Sequence, residues 1–282
     1  MSAAEQRQPK LHLVLEAGRA DQQYWSDLWR YRELYFILAW RDVAVRYKQT
    51  VIGVAWAFIR PFLTMVVFTV LFGHLAKLAH ETEVPYAILV FAGLLPWTLF
   101  SSVLGDVANS VIANSHLISK VYFPRLIVPL STVVVALIDF LITLVILVGL
   151  MIFYRFLPGW HILLLPLFVL LALLTSVGPA LWAASLIVKY RDFRFIIPFA
   201  LQFGLYVSPV GFSSSVVPEA WRPLYSLNPV VGIIDGFRWS IIGGDSPIYW
   251  PGFVMSLVVM AFFLWLGIRT FRRTERSFSD LA

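Results

Sequence analysis

The chain has 282 residues, of which 60% are hydrophobic and only 13% charged, with a mean hydropathy of +0.80 and a formal charge of +6. Soluble domains carry about 25% charged residues, so this composition excludes a globule wetted on all sides and favours one membrane domain. Cysteine is absent, which excludes disulfides, thiolate metal sites and a cysteine nucleophile, while aromatics reach 16%, including 11 Trp and 11 Tyr.

In chain order, residues 1–25 read as a cytoplasmic segment. The apolar run 11–15 is too short for a signal peptide and Glu16 closes it, so the first true span is expected to direct insertion. Residues 26–48 mix charge and aromatics. Trp29, Phe36, Trp40, Val43 and Tyr47 recur at steps of 7, 4, 3 and 4, one face of a helix. Such a basic amphipathic helix is expected to lie flat on the cytoplasmic leaflet, either as a passive anchor or as a docking element for a cytosolic partner.

Six stretches are long enough to cross a core of about 30 Å as helices, the form that satisfies its own backbone in lipid. They fall at about 51–76, 84–110, 126–154, 162–188, 195–212 and 252–271. Arg60 interrupts the first and is placed to snorkel to the interface. Asp139 lies about 20 Å along the third, deep enough that it must serve either as a structural polar contact or as part of a pathway. Six spans put both termini on one side. With the termini inside, the inner segments hold 18 Lys/Arg and the outer segments 4, which fixes the orientation by the positive-inside rule and accounts for the excess charge without nucleic acid.

Between the second and third spans, 114–125 (NSHLISKVYFPR) is short yet apolar at its centre. Exposed apolar residues in a connector imply a partner or insertion into lipid. Pro124 is suited to the start of the next span. The outer region 213–250 is not hydrophilic. Within it 230–242 has the length of a re-entrant helix, and Asp235 and Arg238, three apart, could neutralise one another. Residues 272–282 form a cytoplasmic tail.

Chemistry is sparse. No Lys precedes Ser or Thr, so there is no Walker A loop, and His12, His74, His80, His116 and His161 show no metal-binding spacing. Glu81 and Glu83 form the only outer acidic pair, in a loop too small for an active site.

The runs ELYFILAWRDVAVRYKQTVIGVAWAFIRPFLTMVVFTVLFG, SKVYFPRLIVPLS and LNPVVGIIDGFRWSIIG, in that order, resemble permeases of the polysaccharide branch of type-2 ABC exporters, over about residues 25–273. The resemblance implies an all-α polytopic membrane protein of six transmembrane helices, an amphipathic N-terminal interface helix and short re-entrant outer gate helices at 213–250. It implies that 26–48, with Trp29, Phe36 and Trp40, packs on a cytosolic ATPase, and that 114–125 is a coupling loop with His116, Leu117, Lys120 and Phe123 as contacts. Two copies of the chain would form the conduit with two copies of the ATPase, which binds ATP and Mg; no cofactor is expected here. The cargo would be a lipid-linked glycan of O-antigen, capsule or teichoic-acid type, crossing a bacterial cytoplasmic membrane. A channel that feeds it stepwise suits repeated weak stacking of sugar C–H faces on aromatic rings. Tyr86, Trp97, Trp182, Phe199, Phe203, Tyr206, Trp221 and Tyr225, with Asp139, are the candidates to line it, although ordinary interfacial belts also gather Trp and Tyr. The alternatives are a type-2 exporter of a lipid or drug, or a membrane enzyme acting on lipid-linked sugars.

Overall fold

The computed structural model describes residues 20–48, 51–75 and 84–275; the predicted terminal segments fall largely outside these, as does the Glu81/Glu83 loop. The described residues are helical almost throughout. Two helices, α1 (Ala20–Arg30) and α2 (Arg32–Lys48), meet at a break at Tyr31. They are followed by α3 (Val51–Phe68), which runs into a π-helical segment, Thr69–Leu75. Next come α4 (Tyr86–Ala113), the short α5 (Ser115–Lys120), α6 (Ile127–Phe153) and α7 (Leu165–Lys189). The chain ends with α8 (Phe193–Val207), the single-turn α9 (Arg222–Tyr225), α10 (Pro229–Ile242) and α11 (Trp250–Thr274).

Five helical segments are long and apolar enough to cross a membrane: Ala55–His74, Tyr86–Ala113, Ile127–Phe153, Trp160–Lys189 and Trp250–Thr274. The sixth expected span is different. α8 has 15 residues, about 22 Å at 1.5 Å per residue, short of a bilayer core. It stops where Ser208 turns extended (ψ 152°) before Pro209, a residue that cannot continue the hydrogen-bond ladder. The chain goes on as an irregular, buried segment from Ser208 to Gly211.

α4 is the centre of the bundle, packed by α6, α7 and α10. From Tyr86 to Trp97 its residues are buried without interruption, as a helix ringed by other helices should be. α7 and α11 cross with backbone in contact: a Cβ on Gly267 would lie 2.1 Å from the Gly178 carbonyl oxygen. Small residues allow this approach where apolar attraction between helices is lost in lipid. α10 is buried between α4, α7 and α11. Asn228 caps it by accepting from the Val230 N–H at 3.2 Å, Pro229 occupies its first turn, and Gly243 ends it at φ 84°. The outer region thus has one substantial helix, preceded by the one-turn α9 and a 3-10 turn, Ser214–Val216.

Candidate functional site

One end of the bundle collects Arg125, Lys189, Arg191, Arg194, Arg269, Arg272 and Arg273, and against it lie α1, α2 and α5. On α1 and α2 the aromatic residues divide. Trp29, Phe36 and Trp40 are 73%, 65% and 75% exposed, whereas Leu38 and Ala39 are buried. Val43 and Tyr47, expected on the same face, turn inward. The reason is a polar clamp. Arg46 reaches the Asp106 carboxylate of α4 at 2.9 Å and that of Asp139 on α6 at 2.8 Å. The Tyr47 hydroxyl also donates to Asp139, and Arg41 donates to Asn114 at 2.7 Å. The second half of α2 is therefore tied to the last turns of α4 and to α6. Asp139 is thus held by Arg46 and Tyr47, the structural polar contact of the two readings its depth allowed.

α5 and the residues after it form the other element at this end. His116 and Lys120 are exposed, and Leu117 is half-buried against the core. Phe123, expected as a contact, is buried, while its neighbours Val121 and Tyr122 are 51% and 62% exposed. A connector has no period from which the outward residue can be read, so the sequence offered no signal that singles out Tyr122. Arg125 anchors the segment: its backbone N–H donates to the Glu275 carboxylate at 2.9 Å and its guanidinium to the Glu275 carbonyl. Burial raises the Glu275 carboxyl above the usual carboxylate range. Burial, then the Glu275 charge, raises the Tyr24 phenol, over whose ring Arg272 sits at 4.7 Å. The start of α1, the end of the α5 connector and the end of α11 thus meet at one cluster.

The aromatic candidates also divide. Phe199, Phe203 and Tyr206 project from α8 and are exposed, and with Phe195 they recur at steps of 4, 4 and 3, one helical face. Tyr206 stacks on Phe68 of α3 with centroids 6.0 Å apart. Trp221 is exposed. Tyr225 is half-buried and donates to the Val207 carbonyl at 2.7 Å, closing the end of α8. Trp182 packs on Phe263 of α11 at 6.1 Å. Tyr86 and Trp97 are buried inside the protomer. Trp97 presses on Gly204, where a Cβ would come within 2.7 Å of the indole, so it seats α8. The Tyr86 hydroxyl donates to the Gly211 carbonyl.

That last bond belongs to the arrangement that replaces the missing part of the sixth span. Arg238 of α10 is fully buried. It donates to the carbonyls of Phe212 at 2.6 Å, Val210 at 2.8 Å and Leu89 at 3.3 Å. Asp235 accepts from the Ser214 hydroxyl at 2.7 Å. The two charges therefore hydrogen-bond to the chain beside them, and across one turn of α10 each offsets the other's charge without a direct contact.

The chain matches the family model described as ABC-2 type transporter over residues 33–242. It is 28% identical over 257 residues to the O-antigen export system permease protein RfbA of Myxococcus xanthus, covering 90% of this chain and 97% of that one. It is 26% identical over 242 residues to RfbA of Klebsiella pneumoniae, covering 82% and 91%. With the polysialic acid transport protein KpsM of Escherichia coli it shares 22% over 251 residues, covering 84% and 92%. By the extent of the family match and the helical membrane architecture, this chain belongs to the ABC-2 type transporters, as a permease.

Proposed function

We propose that this chain is the permease of an ATP-driven exporter that carries a lipid-linked polysaccharide across the bacterial cytoplasmic membrane, working as a pair of copies driven by two copies of a cytosolic ATPase. The basic end of the bundle faces the cytoplasm. The observation that carries the proposal is the face of α8. Phe195, Phe199, Phe203 and Tyr206 form one apolar and aromatic row that the protomer leaves uncovered, and one protomer cannot enclose a conduit around it. A second copy can, by a self-complementary interface. Aromatic faces suit a sliding glycan, since each stacking contact is weak. The end-to-end similarity to O-antigen permeases supports this cargo over a lipid or drug, and membership of the family removes the enzyme alternative.

Cells lacking this chain should accumulate the lipid-linked polymer on the cytoplasmic leaflet. Replacing Phe199, Phe203 and Tyr206 together by alanine should lower export by at least about tenfold, the lower bound for three contacts of about 0.5–1.5 kcal/mol each, while the ATPase still co-purifies. Undiminished export in this variant would remove α8 from the pathway. Unchanged polymer distribution in the deletion strain would overturn the cargo.

Coupling is assigned to the exposed row Trp29, Phe36 and Trp40 and to α5 with Val121 and Tyr122. Tyr122→Asp should abolish co-purification of the ATPase without lowering the thermal stability of the permease, because the side chain is on the surface. Phe123→Asp should instead destabilise the fold by about 3 kcal/mol or more, by placing a charge in the core. Retained ATPase binding by Tyr122→Asp would relocate the contact.

A further inference from the structure

Beneath α5 lies a cavity of about 430 Å³, bounded by the ends of α4 and α7 and the start of α8. Its composition is divided. Val111, Ile112, Ile187 and Val188 give it apolar walls together with Phe195, the first residue of the α8 row, Ser115 and Ile118 of α5 form another side, and Arg191 and Arg194 supply the charge. Neither arginine makes an ion pair among the described residues, and Asp192, between them in sequence, pairs with neither.

The level of the cavity matters. The charge-free stretch of α7 ends at Val188 and the next begins at Phe195, so Arg191 and Arg194 each lie within a turn of a point where hydrocarbon gives way to headgroups. A guanidinium offers a planar fork of donors that matches phosphate oxygens. Two such groups at headgroup level, above a cavity walled by aliphatic side chains, match a ligand with a phosphate at one end and a chain of hydrocarbon at the other.

We infer that this cavity seats the phosphate head of a membrane amphiphile, with the first part of its apolar chain against Ile112, Ile187 and Val188. Identification of that amphiphile with the lipid anchor of the cargo rests on the function proposed above; the phosphate-and-chain chemistry does not. The site has a consequence for coupling. α5 contributes Ser115 and Ile118 to the cavity and leads directly into Val121 and Tyr122. An occupant therefore bears on the same short helix that is assigned to meet the ATPase, and its arrival can be felt there.

The test uses the intact transporter, this chain with its ATPase, in phosphatidylcholine nanodiscs titrated with a long-chain polyprenyl diphosphate. Arg191→Gln with Arg194→Gln should weaken binding at least about tenfold, the effect of losing one to two charge-assisted contacts, and should remove stimulation of ATP hydrolysis by the ligand. Arg191→Lys with Arg194→Lys should recover part of the binding, since the charge returns without the fork. Ile112→Trp, which fills the cavity but keeps both charges, should also weaken it. The ATPase should co-purify with all three variants. The polyprenol without phosphate, and sodium pyrophosphate without a chain, should each bind far more weakly. Equal competition by phosphatidylglycerol would assign the site to leaflet lipid, and competition by the polyprenyl diphosphate alone would assign it to the cargo anchor; either supports a phosphate-headed occupant. Wild-type binding by both the glutamine pair and Ile112→Trp, or loss of ATPase association with lipid binding intact, overturns the site. Such a failure with export unimpaired leaves the proposed function standing, whereas a deletion strain with normal polymer distribution overturns that function without touching the binding result.

Discussion

Arg238→Leu should be the most damaging single substitution in the outer half of the protein. The leucine matches part of the stem but leaves the carbonyls of Leu89, Val210 and Phe212 without the donor each now has. An unsatisfied buried polar group costs about 1–3 kcal/mol, and removing one side of a buried charged network costs about 3–5 kcal/mol. Loss of the larger figure would consume much of the stability of an ordinary domain. Thermal unfolding of the purified permease should show a midpoint many degrees lower, with the polymer retained inside the cell. Arg238→Lys should recover part of this, since an ammonium keeps the charge but not the planar fork that reaches three acceptors. Gly93→Ala should imitate the defect at smaller size, because its Cβ would lie 2.7 Å from the Arg238 guanidinium. A stable, exporting leucine variant would mean that the Ser208–Gly211 segment finds other donors.

The same residues show where sequence reasoning ends. Charge-free length located the five long helices, because burial of backbone in lipid leaves so few solutions. It could not separate a helix of full span from a shorter helix continued by irregular chain, since both are free of charge. Pro209 after Ser208 was a local sign of the break, but a proline alone does not end a membrane helix: Pro61, Pro96 and Pro179 all lie inside helices here. The decisive residue, Arg238, sits 29 positions later and was read against its neighbour Asp235. Likewise the spacing of Trp29, Phe36 and Trp40 identified an outward row, yet the continuation to Val43 and Tyr47 failed. At that point a tertiary ion pair, between residues 60 apart in the chain, outweighs the local period. Aromatic candidates could be collected by type, but only packing separates the exposed Phe199 and Phe203 from the buried Tyr86 and Trp97.

The clamp at Arg46 yields the second large effect, and its sign distinguishes structure from transport. Arg46 is the cation between Asp106 on α4 and Asp139 on α6. Arg46→Ala should therefore do more harm than either acid's replacement, because it leaves two carboxylates facing one another at the root of α2 with their shared cation gone. The three side chains are partly exposed in the protomer, so screening reduces the figure; a loss of about 2 kcal/mol is expected, against about 1 kcal/mol or less for Asp139→Asn, where Arg46 keeps Asp106. Because Phe36 and Trp40, assigned above to the proposed ATPase contact, sit on α2, co-purification should fall with Arg46→Ala in step with stability. Combining Arg46→Ala with Asp106→Asn and Asp139→Asn should restore both, since no charge is then left without a counterpart. If the triple variant recovers stability, ATPase binding and export together, the clamp is purely a means of holding α2 against α4 and α6. Recovery of the first two without export would return Asp139 to the conduit, with Arg46 as the group that sets its charge.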